Sequence, residues 1–414
     1  MSDERLAQEL FRFRHHNLSR RSVLASTAVG LAGASAGLLV GCGGGGAGDP
    51  EPANESGATP TSPGAAGTMG PEISSIRVPN TRAGCNAPFL YARELLLEEG
   101  FAEVRSIFTE TAYVLIDNVA EGSIDIAYHF IPQILHAIAD GVPIVMLGPA
   151  HTACAQIVAA DYVADLADLR GRRLAVAPVL TPQPGDFAFA ASVLQRIGIS
   201  TPDDVAFVAV EGTDINTGLG SDFDAVFTYS PLSYSALESA SASATGGERH
   251  VIFDSSVDVP WSQQLCCALF ARRQFVEDNP VATRRTVRAL MRALNRGASD
   301  PGAMAQTMLD ASWVVRKDYA NRTVAELTLD AWRTHDLADA MRFYGLLLHE
   351  AGLVKSTPEQ LIQRGTDLTF FNELKEELAY APGGVDSRFS FYCDPSESGA
   401  VTRAAGLATA RRAT

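Results

Sequence analysis

His151 and Cys154 stand three residues apart, a separation at which one stretch of chain can offer an imidazole and a thiolate to a single metal ion. A closed zinc site needs four donors, and no second pair of suitable spacing accompanies them, so the sequence predicts no metal site. Cys85, Cys266, Cys267 and Cys393 remain once Cys42 is set aside. Neighbouring Cys266 and Cys267 cannot bridge each other without backbone strain, which makes a bond from one of them to Cys154 or Cys85 the expected geometry. Five thiols is an odd number, so at least one stays free. No G-x-S-x-G, H-E-x-x-H, P-loop, strand-borne G-x-G-x-x-G or C-x-x-C occurs, which leaves no catalytic residue and no cofactor to assign.

What the chain does offer is polar and aromatic side chains at the ends of apolar runs. These are Asn80, Thr81, Tyr128, His129, His151, Thr152, Thr181, Gly185, Asp186, Asp214, Tyr229, Trp261 and Gln263. In open α/β sheets the carboxyl ends of strands face the ligand crevice, so this set is predicted to hold a small solute. The plainer roles are core packing for Tyr128 and Tyr229, satisfied structural histidines for His129 and His151, and a helix cap for Asp186.

The elements that would position these residues follow from periodicity. From Ile76, short β-like runs alternate with helical stretches, and a helix is expected to start at Asn86 with Pro88 in its first turn. Strands are predicted about 104–108, 125–130, 143–147, 173–176, 205–210, 224–228 and 251–253, with helices between them. Such alternation argues mostly parallel, doubly wound sheets. Beyond Asp278 the pattern turns helical: Val287, Leu290, Met291 and Leu294 form one stripe, and Leu337, Met341, Tyr344 and Leu348 another. Arg284, Arg288, Arg292 and Arg296 share the face opposite the first stripe, read as a solvated face or a permease contact. No internal repeat at fixed spacing is visible.

Of the 414 residues, 46% are apolar and 20% charged, as in ordinary globular chains, and the net charge of −15 disfavours nucleic acid and anionic lipid as partners. Ser19 to Cys42 reads as an address label: an arginine pair, Arg20 and Arg21, then a weakly apolar run ending Leu39, Val40, Gly41, Cys42. An uncleaved anchor over Val23 to Val40 is the competing reading. S-R-R-x-x-L resembles the twin-arginine export signal and L-V-G-C resembles the lipobox of bacterial lipoproteins. That resemblance implies a signal peptide over 1–41, lipidation at Cys42 and a periplasmic or outer-face location, membrane-anchored. Residues 42–72 are Gly-, Ala- and Pro-rich and read as a tether. About 340 residues then remain, more than one core usually supports. The expected division is a first lobe of 73–158 plus 264–380, a second of 159–263, and a loosely ordered tail of 381–414, with hinge crossings near Val158 and Gln263.

The stretch NVAEGSIDIAYHFIPQILHAIADGVPIVMLG from Asn118 to Gly148 resembles nitrate/sulfonate/taurine-type substrate-binding proteins of ABC importers. There a G-x-x-D-I-A strand end precedes a helix and G-x-P. DLRGRRLAV from Asp168, IGISTPDDVAFV from Ile197 and LGSDFDAVF from Leu219 are similar to that family's second-lobe segments. The resemblance spans about Ile73 to Leu378. It implies two doubly wound α/β lobes of the periplasmic-binding-protein type II kind, joined by hinge crossings, with a helical C-terminal extension packed on the first lobe. It also implies a monomeric solute receptor for an ABC permease and ATPase, with transport and not catalysis as its task. One departure is Thr181-Pro-Gln-Pro-Gly-Asp186, where two prolines delete N–H donors and Asp186 adds negative charge, so a neutral or cationic, aromatic solute is expected over a small anion. The alternatives are a thiamin-pyrimidine-synthase-like enzyme of the same fold, disfavoured because no lysine precedes Lys317, and a sensory ligand-binding module.

Overall fold

The computed structural model describes residues 70–109, 112–176, 187–200, 203–210, 218–239 and 247–379. The leader, the tail and residues 42–69 of the tether lie outside the described residues; the tether's end is corrected, because Glu72 accepts the Val281 and Ala282 N–H groups at 2.9 Å and belongs to the folded body. Two sets of strands organise the chain: a two-stranded and a three-stranded sheet side by side, which together make the first sheet, and a single five-stranded second sheet. The first holds β1 (Ser75–Thr81), β2 (Glu103–Thr109), β3 (Ile126–Phe130) and β4 (Ile144–Pro149). The second holds β5 (Ala155–Ala159), β6 (Arg173–Val176), β7 (Ala206–Ala209), β8 (Ala225–Tyr229) and β9 (His250–Asp254). The chain then returns, and β10 (Cys267–Arg272) inserts antiparallel between β3 and β4.

The lateral order in the second sheet is β7-β6-β8-β5-β9. In the first it is β2-β1, then β3-β10-β4, with β1 beside β3 where the Asp125 N–H donates 3.0 Å to the Arg77 carbonyl. Each sheet therefore carries one antiparallel strand in fourth place: the strand that has just crossed from the other sheet. The expectation of mostly parallel sheets is corrected at these two positions, because a crossing strand enters its new sheet from the opposite end. Val158 lies inside β5 and pairs with Val226, so the first crossing falls earlier than the sequence placed it, at 150–154.

The two sheets share a second likeness that no fixed-spacing repeat revealed. Asp125, just before β3, accepts the Arg77 backbone N–H at 2.7 Å and its guanidinium Nε at 3.2 Å, with a further ion pair to Nη2. Asp224, just before β8, accepts the Arg173 backbone N–H at 2.8 Å and Nε at 3.2 Å. Each carboxylate thus fixes one strand's start against its neighbour with both a backbone and a charged donor.

The helices cover both faces. Between the strands of the first sheet run α1 (Ala87–Glu98), α2 (Leu115–Glu121) and α3 (Ile131–Ala139); the second sheet carries α4 (Phe187–Arg196) and α5 (Leu232–Glu238). The remainder is helical, as its stripes predict: α6 (Arg273–Asp278), α7 (Pro280–Ser299), α8 (Pro301–Asp310), α9 (Lys317–Glu326), α10 (Leu337–Glu350), α11 (Pro358–Gly365) and α12 (Thr369–Ala379). Both stripes are buried. Helices α11 and α12 pack on α3, β4 and α7 of the first lobe, while α10 touches α3 and also α4 of the second. Among the described residues no helix is long and apolar enough to cross a membrane.

Two local readings differ in detail. Asn86 is helical and makes no cap; its amide instead donates to the Cys85 sulfur at 3.4 Å. The arginine face of α7 is also not simply solvated. Arg288 and Arg292 reach the buried Glu99 carboxylate at 2.5 and 3.3 Å, and Arg284 pairs with Glu377 at 3.0 Å, clasping α7 to α1 and α12. Glu99→Ala is expected to cost about 2–3 kcal/mol by chemical denaturation. That is below the usual figure for a broken buried pair, because the stranded guanidiniums are about a quarter exposed. A loss under about 0.5 kcal/mol would show the clasp to be ornamental.

Candidate functional site

Strands β3 (IAYHF) and β8 (AVFTY) are buried along their whole length, and each ends in an aromatic residue at its carboxyl end. Phe130, the last residue of β3, brings the two lobes into contact. Its ring centroid lies 5.2 Å from Phe189 of α4, 6.3 Å from Phe227 and 6.2 Å from Tyr229 of β8. Phe189 in turn meets Tyr344 of α10 at 5.4 Å. These are edge-on arrangements, in which the positive rim of one ring meets the negative face of the next.

Helix α3 begins at Ile131, directly after the strand, with Pro132 in its first turn. Gln133 follows Phe130 by one helical turn. Its side chain is buried, and neither its amide nitrogen nor its amide oxygen has a hydrogen-bond partner among the described residues. Buried amides are nearly always paired, so this one is a vacant donor and acceptor, three residues along the chain from Phe130. None of Phe130, Gln133, Phe189, Phe227, Tyr229 and Tyr344 carries a charge. Each of these side chains is at most 3% exposed and the rings already pack on one another, so a flat ligand could stack among them only if the lobes part.

The residues nominated from the sequence divide. Tyr229 belongs to the aromatic wall. Tyr128 is one residue pair back along β3, packed on Phe89 at 4.8 Å, and burial drives its phenol far above the ordinary range. His129 accepts the Phe130 N–H on Nδ1 at 2.8 Å and donates from Nε2 to the Ala112 carbonyl at 3.0 Å, which spends both nitrogens on backbone. Burial lowers its pKa to about 4, so the ring stays neutral. Asn80 accepts from Trp313 Nε1 at 2.7 Å, and Thr81 shares a hydrogen bond with Thr109 between β1 and β2. Trp261 is buried against Phe253 at 5.2 Å and Phe343 at 6.2 Å, and Phe343 continues to Tyr344 at 5.0 Å. Gln263 is exposed. Thr181, Gly185, Asp186 and Asp214, like Cys42, lie outside the described residues.

His151 and Thr152 occupy the first crossing. Thr152 bridges Leu265 and Thr328, and the His151 carbonyl accepts the Cys266 N–H at 2.9 Å. Around them Cys85, Cys154, Cys266 and Cys267 are free, buried thiols. The absence of partners for His151 and Cys154 held along the chain but not in space, since folding brings three more sulfurs from distant positions.

Gln133, Phe189, Phe227 and Tyr344 were not nominated. Gln133 had a signal: with His136 it is one of two polar side chains in the apolar helix IPQILHAIA. Phe189 and Tyr344 had none, since both read equally well as ordinary helix core.

Two α/β sheets joined by paired crossings, with strand ends facing one another, define the periplasmic-binding-protein fold. Solved structures agree at the level of fold. One is the ligand-binding component of an ABC-type import system from Staphylococcus aureus, with zinc bound: TM-score 0.58, 11% identity, covering 73% of this chain and 99% of that one. Another is the alkanesulfonate-binding protein SsuA from Xanthomonas axonopodis pv. citri, bound to MOPS: TM-score 0.56, 16% identity, 72% and 99% covered. A third is the nitrate-binding protein NrtA from Synechocystis PCC 6803: TM-score 0.57, 14% identity, 77% and 92% covered. Residues 102–304 match the family described as NMT1/THI5 like. No curated protein matches this sequence.

Proposed function

We propose that this chain is the solute-capturing component of an ABC importer, taking a neutral, flat, largely apolar molecule between its lobes and releasing it unchanged to a permease. The observation that carries this is the uncharged aromatic wall spanning both lobes, with the unpaired Gln133 amide three residues after Phe130. A small anion would want a cation or a cluster of N–H donors there; an aromatic solute wants rings and one or two hydrogen bonds. The sequence reading of 1–42 supports export and lipid anchoring at Cys42, with the folded body working as a monomer outside the cytoplasmic membrane. The synthase reading is the weaker one, since no lysine precedes Lys317 to hold a lysine-bound cofactor.

The test is thermal shift and calorimetry of the full chain against neutral aromatic metabolites, with nitrate and alkanesulfonates as contrasts. A true ligand at a hundredfold excess over its Kd adds about 2.7 kcal/mol of stability. Gln133→Leu is expected to weaken binding up to about tenfold while leaving the unliganded melting temperature within a degree or two. Tight nitrate or sulfonate binding would refute the choice of solute, and recovery of a chemically altered ligand would refute capture without catalysis.

A further inference from the structure

Four thiols and one imidazole meet where the chain passes twice between its lobes. Cys154 Sγ lies 3.4 Å from Cys266 Sγ, which lies 3.9 Å from Cys267 Sγ. The donor atoms of Cys154, Cys266 and Cys267 all fall within 4.8 Å of one another, and so do those of Cys85, His151 and Cys267. Two thiolates on one tetrahedral ion, with bonds of about 2.3 Å, sit about 3.8 Å apart, close to the sulfur separations found here.

The imidazole is set for the same task. His151 Nδ1 is 2.9 Å from the Thr152 carbonyl, which can only accept, so Nδ1 carries the proton and Nε2 keeps its lone pair. That Nε2 is buried and has no partner among the described residues. Ala153 and the ligating Cys154 itself hold φ angles of 70° and 87°, a left-handed conformation that side-chain-bearing residues rarely adopt. The backbone bends sharply to turn His151 and Cys154 inward together.

The geometry points to a buried structural site for one thiophilic cation, Zn2+, held by the three clustered thiols Cys154, Cys266 and Cys267, with His151 Nε2, which lies in one group with Cys267 and Cys85, closing on the ion as fourth ligand and the Cys85 thiol as a neighbour. Binding would release three thiol protons to solvent, leaving three thiolates, a neutral imidazole and a divalent ion, a net charge of −1. Four thiolates would leave −2 in the same buried volume, which favours the imidazole as fourth ligand. The ion would join 151 and 154 on the outgoing crossing to 266 and 267 on the return, stapling the hinge next to the aromatic wall, since Cys267 pairs across the sheet with Phe130. The site does not depend on which solute the lobes take.

The experiment purifies the full chain under reducing, anaerobic conditions, measures bound metal, and replaces it with Co2+. One equivalent of zinc per chain and an intense tetrahedral cobalt–thiolate spectrum are expected. Cys267→Ser should abolish the spectrum, and His151→Ala should weaken zinc at least tenfold in competition with a chromogenic chelator. Cys85→Ser should keep the one-to-one stoichiometry. Should Cys267→Ser fail to fold, the wild-type cobalt spectrum decides alone, since weak octahedral bands would overturn the site. So would four titratable thiols with no metal taken up after zinc addition, or equal zinc binding by every variant.

Discussion

Asp125→Ala is expected to lower the free energy of unfolding by about 3 kcal/mol, read as a fall in denaturation midpoint at constant slope. The Asp125 side chain is 1% exposed, whereas Arg77 is 38% exposed. Removing the carboxylate strands the Arg77 backbone N–H and a guanidinium that can still reach water, which places the loss at the lower end of the range for broken buried pairs. Asp125→Asn should cost less, because one acceptor survives. A loss below about 1 kcal/mol for Asp125→Ala would mean that packing and the surviving 3.0 Å backbone hydrogen bond from residue 125 to the Arg77 carbonyl suffice to hold β1 to β3.

Phe189→Ala is expected to cost about 3–5 kcal/mol, the range for a buried aromatic cut to a methyl. The ring is fully buried and touches Phe130 in the first lobe, Phe227 at 5.3 Å in its own, and Tyr344 in α10. Its loss therefore opens a cavity at the meeting of three elements and weakens the contact between lobes. Calorimetry should show a lower transition that broadens or splits, as expected when two units stop melting together. A single sharp transition shifted by less than about 1 kcal/mol would show that the lobes communicate by another route.

Much of the fold was legible because it repeats simple rules. The spacing of Val287, Leu290, Met291 and Leu294 gave α7, and that of Leu337, Met341, Tyr344 and Leu348 gave α10; all eight are buried. The segments around Asp125 and Asp224 stood out as motifs, yet their partners Arg77 and Arg173 lie 48 and 51 residues away, and nothing local announces that pairing. The crossing strands were less visible. AQIVA, broken only by Gln156, and CALFAR, apolar up to Arg272, have no alternating period, so neither sheet membership nor direction could be read from them. The site was legible only in outline: strand ends nominated Tyr229 but also His129, whose two nitrogens turn out to serve the backbone. The sulfur cluster is the extreme case, assembled from positions 85, 151, 154, 266 and 267, which no spacing rule connects.

The exchange of crossing strands also sets an order on biosynthesis. The five strands of the second sheet lie in one unbroken stretch, 155–254, and can pair as soon as that stretch has left the ribosome. The first sheet has a gap between β3 and β4 that only 267–272 can fill, so the lobe begun earliest is completed later, with its central hydrogen-bonding groups unpaired meanwhile.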